Sequence, residues 1–226
     1  MLRRFPCRWL LASAAVLLVI PACGVPACAQ QSAEPAADIT FALRDADHIA
    51  TWPVAIREFA IDGKPIRFDR PVHVQGSWLR TVAVTLRNVS PKTIVQGGIN
   101  LVFPESGDGS EAHPYEACWS QQGQVPKIVY LGHDGYHLPP GYDLQKPLQL
   151  APGADLRLIF SACGDATQAK LAGQPIHQAA LTFTSFYFAD DSRWSAQEYF
   201  LPPLPGTRQW RRVTPNEFLH STGAGQ

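Results

Sequence analysis

The stretch RTVAVTLRNVS, residues 80–90, decides the fold. Val82, Val84 and Leu86 fall on one side of an extended chain, and Thr81, Thr85 and Arg87 on the other. Period-2 alternation marks a strand with one buried face. Asn88 to Lys92 reads as a turn, and TIVQGGINLVF (93–103) as a second, more apolar strand. Gly97-Gly98 predicts a bulge or sharp bend within it.

The same pattern extends in both directions. REFAIDGKPIRF (57–68) is a hairpin around Asp62-Gly63, because a type I′ turn needs positive φ at both central positions. That turn sets Phe59 opposite Ile66, with Phe59, Ile61, Ile66 and Phe68 on the buried face and Glu58 opposite Arg67 on the other. Pro65 lacks an N–H, which predicts an edge strand. Downstream, ADLRLIFSA (154–162) alternates through Leu156, Leu158 and Phe160 after a proline-glycine turn. AALTFTSFYFADDSRWSAQEYFL (179–201) reads as two arms around Asp190-Asp191-Ser192. Both faces of its first arm are apolar, which predicts a central position. One short helix is expected, DATQAKLA (165–172), with Asp165 as N-cap. The 20 prolines of 226 residues suit many turns and few helices. The expected fold is all-β, an antiparallel immunoglobulin-like β-sandwich with long loops and at most one short helix.

RTVAVTLRNVSPKTI followed by LAPGADLRLIF resembles small exported bacterial immunoglobulin-like domains of the FxLYD kind. The shared features are an alternating strand, an N-x-S/T turn, an apolar strand and a proline-glycine turn before another strand. The likeness covers roughly residues 78–160 and implies a sandwich. It implies no catalytic residue.

The N-terminus begins MLRRFPCRW, with Arg3, Arg4 and Arg8, followed by the apolar run LLASAAVLLVI (10–20) and small residues at Ala27 and Ala29. This is the pattern of a secretory signal peptide cleaved after Ala29. The apolar run is shorter than the roughly 20 residues that cross a bilayer, which argues against an N-terminal anchor. Acylation at Cys23 is the other alternative. It would leave Cys28 unpaired, whereas cleavage after Ala29 leaves only Cys118 and Cys163. These two are expected to form a disulfide in an oxidising compartment, periplasmic or extracellular. The expected organisation is a signal peptide over 1–29, a flexible leader over 30–37, a β-sandwich domain over 38–205 and a C-terminal tail over 206–226.

Charge narrows the partners. The chain has 19 basic and 19 acidic residues, and losing Arg3, Arg4 and Arg8 leaves 16 against 19, a net −3. RQWRR (208–212) is the only small basic cluster. Nucleic acid asks for a wider cationic footprint, so no nucleic-acid partner is expected. No later apolar run is long enough for a membrane span.

Three groups of residues offer candidate chemistry. YLGHDGYHLPPGY (130–142) holds His133 and His137 with Asp134 between them, and His113 and Glu116 of AHPYEACW (112–119) become further donors if the disulfide draws the loops together. Its glycines and prolines predict a loop, in which two histidines can converge on a metal that wants three or four ligands. PESGDGSEAH (104–113) offers Glu105, Asp108 and Glu111 to calcium without EF-hand spacing and reads better as a solvated acidic turn. No G-x-S-x-G and no H-E-x-x-H occurs, so no catalytic residue is assigned and no cofactor is expected. DDSRWSAQEYF (190–200) brings Trp194 and Tyr199 beside Arg193, a composition that suits a binding rim for a protein or glycan partner. Trp119 is expected to shield the Cys118 bridge. Asn88-Val89-Ser90 matches a glycosylation sequon, but Asn88 is read as a turn residue. The leading expectation is an exported, non-catalytic binding or interaction module. The alternatives are a metal-binding protein or metal-dependent enzyme using His133 and His137, and a hydrolase with its site in the 104–150 loops.

Overall fold

The structure is a computed structural model that describes residues 36–107, 116–124, 146–204, 207 and 209–221. The expected signal peptide, most of the leader, His113, Asp108, Glu111 and the loop carrying His133 and His137 lie outside the described residues.

Thirteen strands and two α-helices are described. In chain order they are β1 (Ala37–Leu43), β2 (Val54–Ile61), β3 (Lys64–Pro65), β4 (Pro71–Val74), β5 (Ala83–Asn88), β6 (Ile94–Phe103) and β7 (Glu116–Gly123). There follow β8 (Asp155–Ile159), α1 (Ser161–Leu171), β9 (Gln178–Phe183), β10 (Phe186–Phe188), β11 (Arg193–Ser195), β12 (Glu198–Leu201), β13 (Arg211–Val213) and α2 (Pro215–His220). Short 3-10 turns cover Ala46–Thr51, Trp78–Thr81 and Pro104–Ser106.

The fold is all-β in character, with two sheets. The smaller runs β3-β2-β5-β8 and is antiparallel throughout. Its central strand β5 carries the opening alternation, and Val82, Val84 and Leu86 are fully buried. The hairpin forms as expected at its tip, with Asp62 and Gly63 both at positive φ and Phe59 stacked on Phe68 at 5.1 Å. Glu58 departs from the expected pairing. It meets Arg157 on β8 instead of Arg67.

The larger sheet runs β13-β12-β11-β10-β6-β9-β1-β4, with β7 on the other side of β6. Here the antiparallel expectation needs correcting, because β1 and β9 pair in parallel and the sheet is mixed. The expected irregularity falls just before the glycines, where the β6–β10 register shifts between the pairs Tyr187–Gln96 and Phe188–Ile94. Gly97 and Gly98 themselves permit close approach: a Cβ on Gly97 would overlap the Phe186 ring, and one on Gly98 would lie 2.6 Å from Gln121 Cβ.

The sheets share one apolar core. Phe41 of β1 meets Phe59 of β2 edge-on at 5.2 Å, and Leu101, Phe103, Leu158, Phe160 and Phe188 are fully buried. The Cys118–Cys163 disulfide joins β7 of one sheet to α1, which directly follows β8 of the other, with Cα atoms 5.5 Å apart. Ser120 Oγ donates to the Ile159 carbonyl beside it at 2.9 Å.

The helices differ from expectation. α1 starts four residues early, so Asp165 lies inside it and pairs with Arg80 rather than capping the N-terminus. α2 is a second helix, closed by a capping box between Thr214 and Glu217. The expected tail over 206–226 therefore contains β13 and α2, and Val213 and Phe218 are buried in the core. Phe218 packs on Phe188 at 4.9 Å and on Tyr199 at 4.3 Å. Trp119 stands 60% exposed rather than covering the bridge. It neighbours Cys118 on a strand, so it points to the opposite side.

Candidate functional site

The residues expected to form one binding rim are divided by strand geometry. Trp194 and Tyr199 are opposite each other on β11 and β12 and face the core, 2% and 8% exposed. Arg193 and its cross-strand partner Phe200 face the other way. The Arg193 guanidinium lies 4.7 Å from the Phe200 ring and 4.5 Å from that of Trp210. An exposed rim of Trp194, Tyr199 and Arg193 is therefore not formed, because successive residues of a strand point to opposite faces.

Trp194 lines a cavity instead. The cavity holds about 260 Å3 between the end of β1, the end of β9 and the turn from β11 to β12. Trp52, Phe183 and Trp194 supply its aromatic part. The rings meet edge to face, Trp52 to Phe183 at 4.5 Å and Phe183 to Trp194 at 6.5 Å. Arg44, Asp45, Thr182 and Gln197 supply the polar surround, and Ala196 closes the turn side. Trp52 is delivered by the 3-10 turn before it, whose last hydrogen bond runs from Trp52 N to the Ile49 carbonyl at 3.2 Å.

Two features of this cavity are energetically costly. The buried Trp194 Nε1–H has no acceptor, although a buried indole N–H ordinarily finds one. The backbone around the cavity is also strained. Of the six described non-glycine residues at positive φ, Asp45 (60°), Ala196 (48°) and Gln197 (68°) all line it. The other three are aspartates, which tolerate the left-handed region. Alanine and glutamine do not, and the conformation costs each roughly 1 kcal/mol. Strain of this kind concentrates at functional sites. Sequence reading missed this turn because Ala196-Gln197 lacks the Asn-Gly or Asp-Gly chemistry that marks a two-residue hairpin. The signal that remains is the alternation of Trp194 and Tyr199 on either side of it.

A second cavity of about 230 Å3 lies under the C-terminal half of α1, among Ile39, Trp78, Gln168, Leu171 and Ile176. Gln168 Nε2 donates to the Gly76 carbonyl at 2.7 Å, which fixes the amide and leaves Oε1 without a donor. This cavity has one polar orphan, as the first does, but none of the backbone strain.

Other polar clusters are accounted for by structure. Lys92 Nζ lies 2.8 Å from Ser221 Oγ and 2.5 Å from Asp190 Oδ2, with the Phe218 ring 4.1 Å away. Lys92 donates to both Asp190 and Ser221. The group clamps α2 to the sheet. Asp191 beside it is raised in pKa by burial and by the neighbouring Asp190 charge. Glu105 of the expected acidic turn accepts from the backbone N–H of Gln178 at 3.0 Å and from that of His177. Glu116 pairs with Lys170 at 2.9 Å. Among the described residues no cluster of three or more His, Cys, Asp or Glu is placed to hold a metal, and no described helix is long and apolar enough to cross a membrane. Asn88 is fully buried, its Nδ2 donating to the Lys92 and Leu150 carbonyls and its Oδ1 accepting from Ser90.

Comparison with protein-family models, with curated proteins and with solved structures finds no match for this chain.

Proposed function

We propose that this chain is an exported, non-catalytic binding module, and that a small ligand occupies the cavity beside Trp194. The observation that carries the reading is the unpaired indole N–H of a tryptophan 98% shielded from water, in the wall of a cavity whose margin is strained. An unmade hydrogen bond costs about 1–3 kcal/mol. A ligand oxygen that comes within reach of Trp194 Nε1, which is covered in this conformation, removes that cost, and strain held at Ala196 and Gln197 keeps the turn shaped around the cavity. Export is supported by the disulfide and by the sequence pattern of residues 1–29. The two sheets are read as an immunoglobulin-like sandwich, to which the FxLYD-type resemblance over 78–160 adds, with the parallel β1–β9 pair as an elaboration.

The test is thermal unfolding of the purified chain against small polar probes of three kinds: neutral monosaccharides, glycine betaine and acetate. A ligand that binds only the folded state raises Tm with concentration. The expected result is a saturable rise with one probe class that is lost in Trp194→Phe. No rise with any class contradicts the reading.

A further inference from the structure

We infer that the Arg193 guanidinium is a docking point for a carboxylate, carried by a small molecule or by the C-terminus of a peptide. It faces away from the Trp194 cavity on the other side of the same hairpin, so it does not depend on that cavity holding a ligand. Strand register places Tyr187, Arg193, Phe200 and Arg212 in one row across β10 to β13. The two arginines that follow Trp210 each meet a carboxylate, Arg211 with Glu217 at 3.6 Å and Arg212 with Glu198 at 2.6 Å. Arg193 meets the Phe200 and Trp210 rings instead, and among the described residues no carboxylate pairs with it. An arginine fully in water needs no partner, but Arg193 is only part-exposed. Its Nε is covered and has no acceptor. The other two nitrogens, Nη1 and Nη2, form the open edge.

That edge presents two parallel N–H groups, which match the two oxygens of a carboxylate. The rings hold the guanidinium in place, so little side-chain freedom is lost when the anion arrives. Partial removal from water also leaves its charge less screened than that of a fully exposed arginine. Charge selects the anion. Arg211 and Arg212 are already neutralised, so the site keeps one unpaired positive charge, which a carboxylate balances. The second charge of a phosphate would face Glu198, which lies on the same side of β12. An ammonium finds no free partner, because Glu198 is taken by Arg212 and the nearby ring faces are engaged by Arg193. A plain carboxylate therefore binds at least as well as a zwitterion.

The experiment is a 1H–15N titration of the full exported chain with propionate, alanine, inorganic phosphate, and acetyl-trialanine with a free or an amidated C-terminus. The Arg193 Nε–H signal is assigned by its loss in Arg193→Lys, and the backbone amides of β11 and β12 report on the variants. The expected result is a saturable shift with propionate or with the free-acid peptide, and none with the amide. Arg193→Lys, which keeps the charge and removes the two-pronged edge, weakens that binding about tenfold. Trp194→Phe leaves it unchanged. Binding of the free-acid peptide without propionate identifies a chain end as the source and supports the inference; binding of propionate without the peptide identifies a small molecule and also supports it. Phosphate or alanine binding more tightly than propionate overturns the carboxylate assignment. No shift with any probe, or binding that Arg193→Lys retains at full strength, overturns the site. Propionate binding lost in Trp194→Phe but kept in Arg193→Lys belongs to the cavity, which overturns this inference and leaves the proposed function standing.

Discussion

Tyr199 Oη donates a 2.7 Å hydrogen bond to the Thr51 carbonyl, and this bond ties the segment carrying Trp52 to the strand paired with Trp194. The two aromatic walls of the cavity are therefore held by one phenol. Burial pushes that phenol up to about 12. Tyr199→Phe is expected to cost about 1 kcal/mol, read from urea unfolding, and to weaken ligand binding by freeing Trp52. The pH dependence has a definite sign. A folded-state value raised above 10 means stability from the neutral phenol is complete below pH 10 and is lost as pH rises towards 12. Unfolding curves across that window should show a fall that Tyr199→Phe lacks.

Strain at the β11–β12 turn makes a separate prediction. Ala196→Gly with Gln197→Gly removes the Cβ clash at two positions with positive φ. Each relief is worth up to about 1 kcal/mol, reduced by the greater freedom glycine gives the unfolded chain. Calorimetric Tm should rise by about 2–4 °C for each kcal/mol recovered. Ligand affinity should fall, because the turn no longer holds its shape before the ligand arrives. A double variant that is less stable than the parent contradicts the assignment of strain.

Cys118 and Cys163 are 45 residues apart and link β7 of the larger sheet to α1, which follows β8 of the smaller. In the chain-entropy account a loop of this length is worth about 4 kcal/mol, less any native strain. Cys118→Ala with Cys163→Ala should lose about 2–4 kcal/mol in guanidinium unfolding. A loss well under 1 kcal/mol means that the ion pairs Arg80–Asp165 and Lys170–Glu116 hold α1 in place on their own.

Asn88 predicts two results. Produced in a glycosylating secretory host, the folded chain should carry no sugar at the Asn88 sequon, because the side chain is fully buried and all its hydrogen bonds are made inside. Mass spectrometry reads this directly. Asn88→Asp removes both donors to the Lys92 and Leu150 carbonyls and sets a carboxylate against them, which should cost about 3 kcal/mol or more.

Much of the architecture was legible in the residues because it rests on local pattern. The alternation of Val82, Val84 and Leu86 placed β5, Asp62-Gly63 placed the hairpin, and the doubly apolar first arm of 179–201 predicted the central position that β9 takes between β1 and β6. Pairing at long range was not legible. Nothing local tells β1 to run parallel to β9, or Glu58 to meet Arg157 rather than Arg67. The site was half legible. Trp194 was found by composition, but treating it with Arg193 as one surface ignored the period of 2 that the same sequence shows elsewhere. The turn at Ala196-Gln197 was hidden because its residues are poorly suited to the conformation they adopt, and the partners of Trp194 in the cavity come from residues 44–52 and 182–183, far away in the chain.

The most direct test of the account is the indole N–H resonance of Trp194 in a 1H–15N spectrum, assigned by its loss in Trp194→Phe. Without ligand the account predicts a slowly exchanging proton at the upfield position of an N–H with no acceptor. Saturation with a probe that binds should move it downfield as the hydrogen bond forms. A proton that already exchanges rapidly with water, or a position unmoved by a ligand that binds, would contradict it.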